Sequence, residues 1–168
     1  MNGKRKMKPT ATLKKQDTAT KADAVHGVMA GTKILTLDGE LAVEFLTPGD
    51  RVITRDSGFA VLKNIRVRKV RASAVAVTGG SLGHNRPDSD IVLPADQKVL
   101  VRDWRAEALF GAKQALVPVS RLADGQFVRD LGEVEMTLFE LEFDAGHVIY
   151  AGGMELDAPA RQAETVSA

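Results

Sequence analysis

Turn signals break this chain so often between Lys33 and Gly153 that little besides short strands can form between them. The run Lys33–Leu37 stops at Asp38-Gly39, a dipeptide suited to a tight hairpin, and resumes at Leu41–Val43. Pro48-Gly49 within Leu46–Asp50 has the residues of a type II turn, with proline fixing one φ and glycine free to take the positive one. Beyond it the pattern predicts strands over 51–54, 60–70, 74–78, 90–93 and 98–102. A helix is predicted over 103–112, capped by Asp103 and stopped near Gly111. A helical turn over 119–123 precedes a strand over 133–143, whose alternation slips at Leu138-Phe139 and suggests a bulge there. His147–Ala151 reads as the last strand, closed by Gly152-Gly153. The expected class is all-β with one short helix. No repeat of fixed period is visible.

The folded part is predicted to span residues 27–157. Residues 1–26 read as a disordered basic tail and 158–168 as a flexible one. Of the chain's 23 basic and 22 acidic residues, seven (Lys4, Arg5, Lys6, Lys8, Lys14, Lys15, Lys21) and two (Asp17, Asp23) fall within residues 1–24. That leaves 16 basic against 20 acidic beyond it, a net of −4 beside a tail of +5. Such a segment buries too little apolar surface to offset its chain entropy. It could tether weakly to nucleic acid or anionic lipid, or serve as a plain solvated leader. It lacks the apolar core of a secretory signal, and no apolar run is long enough to span a bilayer, so a cytoplasmic location is expected. The absence of cysteine excludes disulfides, thiolate metal sites and a cysteine nucleophile. Three histidines, at 26, 84 and 147, are too scattered to suggest a metal centre, and nothing calls for a cofactor.

Four stretches, taken in order, carry something more specific. The first is Gly31-Thr32-Lys33-Ile34-Leu35-Thr36 with Asp38-Gly39-Glu40, followed by Val43–Val52 around Pro48-Gly49-Asp50. The next runs from Gly80-Ser81-Leu82-Gly83 through Arg86-Pro87 and Asp90–Pro94 to Val99–Val101. Last come Ala115–Val119 with Leu122, and Val148–Gly153. Together they resemble the bacterial hedgehog/intein (Hint) domain over roughly residues 27–157. The resemblance implies a compact, horseshoe-like β fold with pseudo-twofold symmetry. It also implies self-processing as the usual activity. A Cys or Ser at the domain's first position attacks the carbonyl before it, while a His from a central loop protonates the departing amine.

The positions that match those roles are altered here. The nucleophile's place is taken by Gly27, and Val28, Met29 and Ala30 would serve no better. The loop that carries the His reads Leu93-Pro94-Ala95-Asp96-Gln97, with Gln97 in the His position; a carboxamide accepts and donates hydrogen bonds but delivers no proton. Glu140 and Gly146 fall where late histidines are common in the family. The implied reading is a Hint-like domain degenerate for self-cleavage, kept as a binding or structural module with an unidentified protein partner. Two alternatives compete with it: an active self-processing domain with an unrecognised nucleophile, and nucleic-acid or anionic-surface binding through the tail.

Other residues offer chemistry with plainer explanations beside it. Thr32 with His26 would make a nucleophile–base pair, but Thr32 also simply opens a strand and His26 ends the leader. His147 beside Asp144 could act as a switch or ligand. Asp103 and Glu107, one helical turn apart, could hold a hard cation, or cap the helix and pair with Arg102 or Arg105. Arg66-Val67-Arg68-Lys69-Val70-Arg71 could bind phosphate, or form a charged strand face that discourages edge pairing.

Overall fold

The computed structural model describes residues 24–160, and the tail residues 1–23 and 161–168 lie outside it. The strands are β1 Lys33–Thr36, β2 Gly39–Ala42, β3 Arg51–Thr54, β4 Gly58–Val61, β5 Asn64–Val77 and β6 Ile91–Pro94. They continue with β7 Lys98–Val101, β8 Ala115–Pro118, β9 Val128–Glu142, β10 His147–Ala151 and β11 Met154–Ala158. One helix, α1 Trp104–Phe110, lies between β7 and β8. The molecule is mainly β, with a single short α-helix and two 3-10 turns, Val43–Phe45 and Val119–Leu122, among the described residues.

Local chemistry sets the turns. At the first hairpin the Thr36 hydroxyl donates to the Gly39 carbonyl at 2.7 Å and accepts from the Asp38 N–H at 3.0 Å. Gly49 has φ +101°, and the Asp50 carboxylate closes its turn by accepting from the Thr47 N–H at 2.9 Å. Helix α1 begins as read, with the Asp103 side chain accepting from the Arg105 N–H, and ends at Gly111 in the left-handed region.

Two sheets result. One joins eight strands in the order β2-β1-β3-β10-β11-β7-β8, with β4 paired to β3; the other has the order β6-β5-β9. The predicted strand over 60–70 is in fact two. The chain crosses between sheets at buried Leu62, whose N–H bonds the Asp50 carbonyl, and at Lys63, whose N–H bonds the Glu142 carbonyl. The stretch 74–78 is the end of β5 rather than a separate strand. β10 is not last, because Gly152-Gly153 turns the chain into β11, with Ala151 opposite Met154.

The bulge also lies elsewhere. Ala74 faces Gly132 and Val75 faces Asp130, so Leu131 is the extra residue. At Leu138-Phe139 the alternation never slips. Met136 and Leu138 face a small cluster with Ala74, while Phe139, Leu141 and Phe143 face the main core. Both faces of the strand are covered there, and Val70 of the neighbouring β5 packs with the small cluster.

Packing at the two ends of the expected 27–157 span reaches residues just outside it. Val25 packs against the small cluster, and Val28 bridges Phe139. Ala158 is buried in β11, and Ala160 bridges Phe143 in parallel. The basic residues of the expected N-terminal tether lie outside the described residues.

Candidate functional site

The turn between β6 and β7, closed by the Gln97 N–H on the Pro94 carbonyl, aims the Gln97 side chain inward. Its amide is 2% exposed and fully engaged. Oε1 accepts from the Gly27 N–H at 2.8 Å, and Nε2 donates to the carbonyls of Lys98 and Asp157, each at 2.9 Å. The partners fix which end is oxygen, since one is a donor and two are acceptors. Residues 70 apart in sequence thus meet at the amide nitrogen of the His26–Gly27 peptide.

Gly27 is held there by the strand-like pairing next to it. The Val28 N–H bonds the Phe139 carbonyl at 3.1 Å, and the Phe139 N–H bonds the Val28 carbonyl at 2.7 Å. At φ +123° Gly27 occupies a conformation L-residues rarely adopt, and an added Cβ would lie 2.9 Å from the Phe139 carbonyl oxygen. The same Cβ would come within 3.3 Å of Glu140 Cγ, so Glu140 does border the site. A cavity of about 20 Å³, lined in part by His26, Gln97, Phe139 and Asp157, adjoins the pair and has room for about one water.

Burial holds the His26 imidazole below its ordinary pKa, with Arg68 acting the same way and Glu140, Asp157 and Glu142 opposing. Burial raises the Asp157 carboxyl, against Lys98 and His26. Glu140 is anchored by Arg68 at 2.6 Å.

The remaining candidates disperse. Thr32 lines a separate cleft with Asp88 and Asp90, away from the pocket of His26. Gly146 sits beside Ala158–Ala160 rather than at the Gln97 pair. His147 bonds Asp56 through Nδ1 at 2.7 Å, and Ser57 Oγ stands 3.4 Å from the same nitrogen; Asp144 instead pairs with Lys63. Because Ser57 and Asp56 share one ring nitrogen, the arrangement is no catalytic triad, which needs both. Burial works against the Asp56 carboxylate, yet hydrogen bonds from the Val148 N–H and His147 hold its pKa below the ordinary value. Asp103 caps α1 and pairs with Arg105, and among the described residues no three His, Asp or Glu side chains gather for a metal. The basic run on β5 is matched by glutamates of β9: Arg66 with Glu142, Arg68 with Glu140, Lys69 with Glu135 and Arg71 with Glu133. Asp157, whose carbonyl fixes Gln97, was hidden in sequence by the Ala-rich composition that follows it. No helix among the described residues is long and apolar enough to cross a membrane.

Sheets arranged this way, with an opening segment whose amide is met from the β6–β7 turn, define a class of fold. A bacterial intein-like domain from Clostridium thermocellum superposes with a TM-score of 0.54 at 19% identity, over 80% of this chain and 99% of that one. A DnaB intein from Synechocystis sp. PCC 6803 superposes with a TM-score of 0.51 at 11% identity, over 80% and 99%. The fold is therefore that of the intein-like proteins. The Hint domain family model matches residues 27–159, and this chain belongs to that family. Among curated proteins no sequence matches this chain significantly.

Proposed function

We propose that this chain is a Hint module that has lost self-cleavage and persists as a binding or structural domain. The observation that carries this reading is the Gln97 Oε1 bond to the Gly27 N–H. At the peptide that self-processing relatives would rearrange, the residue before which attack would occur has no side chain. The group at its amide nitrogen is a carboxamide oxygen, which accepts a proton-bearing N–H and has none to give. The nitrogen of a breaking amide needs a proton as it leaves, so neither half of the reaction has its group.

The test is an intact mass after prolonged incubation with thiol or hydroxylamine. A single species at 18.0 kDa, apart from trimming at the ends, is the expected result. A discrete fragment beginning at residue 26, 27 or 28 and enhanced by thiol would instead point to an active domain with a different nucleophile.

A further inference from the structure

Glu155 on β11 is 4% exposed and has three guanidinium groups around it. Arg102, just past β7, holds both oxygens, with Nε 2.9 Å from Oε1 and Nη2 2.9 Å from Oε2. Arg86, from the loop before β6, places Nη1 3.2 Å from Oε2. Arg55, from the β3–β4 turn, stands 3.8 Å from the same oxygen, and its side chain also donates to Gln114 at 3.5 Å.

One bidentate arginine already balances the charge of one carboxylate. The two further cations leave a formal surplus of two positive charges, since the neighbouring Asp103 and Arg105 neutralise each other in a direct ion pair. Arg86 is the most buried of the three, its side chain 14% exposed. Burial lowers its pKa, Arg102 and Arg55 push the same way, and together they outweigh Glu155 and Asp103. Its Nε, buried, has no hydrogen-bond partner. A cavity of about 10 Å³ beside Arg86, Arg102 and Glu155 holds about one water, so anything larger must sit at its mouth. Solvent reaches the cluster there, for the Arg55 and Arg102 side chains are 34% and 30% exposed.

We propose that Arg55, Arg86 and Arg102 form a binding site for a dianionic oxyanion of the phosphate or phosphate-monoester class. The two charges of such a ligand match the surplus, and planar guanidinium forks fit its oxygens in a way single ammonium groups do not. A structural ion pair at Glu155 would be charge-balanced with Arg102 alone. This site stands whether or not the His26–Gly27 peptide can be cleaved.

The full chain is titrated with inorganic phosphate and, separately, with O-phosphoserine. The titrations run at about pH 8, above the second phosphate pKa of ~6, with ionic strength matched by sodium chloride. Calorimetry and Tm are the readouts. Saturable binding and a rise in Tm beyond that given by chloride are expected. Dimethyl phosphate, a monoanion, should bind roughly tenfold or more weakly. Binding of both dianions assigns a monoester; binding of inorganic phosphate alone assigns the free ion. Arg55→Gln leaves Arg102 and Arg86 on Glu155, so it should fold and should weaken phosphate about tenfold. Arg71→Gln, remote on β5, should change nothing. A wild-type response equal to that of chloride, or unaltered phosphate affinity in Arg55→Gln, overturns the proposal.

Discussion

Gln97 and Gly27 share one hydrogen bond but are constrained in different ways. Gln97 is fixed by what its amide must satisfy, three partners in a buried setting. Gly27 is fixed by space and by backbone conformation, which no side chain with a Cβ can share without a shift of β9. Gly27→Ala should therefore destabilise the fold by about 2–4 kcal/mol in urea denaturation, from positive φ together with the contact on Phe139; a loss under about 1 kcal/mol would show that the backbone relaxes freely. Gly27→Cys carries the same penalty and, alone, should give no cleavage, because the amide nitrogen still faces a carboxamide. Restoring chemistry with Gln97→His as well would require the segment to move off Phe139. Robust cleavage by Gly27→Cys alone would place the proton donor elsewhere. His26 adds a pH dependence. Its pKa is depressed on folding, so as pH falls below the ordinary imidazole value of about 6.5 the unfolded chain takes up the proton first. Stability should then fall between about pH 7 and the depressed folded value. Asp157, raised by burial, acts at lower pH, where stability declines as pH rises from about 4. Equilibrium unfolding across pH, compared with His26→Gln, checks the imidazole's share: the variant should flatten the slope near neutrality, and an identical slope in both would assign it to another group.

At the level of elements, the long β5–β9 ribbon shows both what short-range pattern reveals and where it misleads. Gly132 relieves the bulge at Leu131 with φ +74°, and its N–H bonds the Asp130 carboxylate at 2.8 Å. Nothing crowds a Cβ there, so Gly132→Ala should cost only the conformational term, about 1 kcal/mol. A loss of several kcal/mol by thermal unfolding would mean the bulge is packed more tightly than its open surroundings allow. Turns closed by their own residues were legible: Asp38-Gly39, Pro48-Gly49 and the Asp103 cap need nothing beyond a few neighbours. The bulge was not, because Leu138 and Phe139 are both apolar for different reasons, one facing each cluster. A one-dimensional alternation treats two covered faces as a slip in register. The Gly152-Gly153 pair shows the same limit from the other side. Two glycines end a strand or reverse it, and only the apolar Met154 and Leu156 beyond them distinguish a hairpin from an end.

Across the whole molecule, charge is sorted by position. The basic residues of β5 face glutamates of β9, while the +5 of residues 1–24 has only two acidic residues within its own stretch. Any affinity for DNA should accordingly reside in that stretch. Deleting residues 1–24 should abolish it, and in the intact chain log affinity should fall with log salt at about −0.7 to −0.9 per phosphate contact. A truncated domain that keeps most of the affinity would locate a site on the folded surface instead. The Gln97–Gly27 pair was legible through the order of motifs, since spacing alone gives no reason to join residues 70 apart. The arginines around Glu155 were not, for Arg55, Arg86 and Arg102 come from three separate segments and share no spacing. One further consequence follows from the place of β11. It joins β10 on one side and β7 on the other, so β7 and β8 reach the rest of their sheet only through it. During synthesis, nearly every hairpin can leave the ribosome before the strand that unites them exists. A chain stalled short of Met154 would hold two half-sheets with raw edges, a species for chaperones to guard rather than a partly working protein.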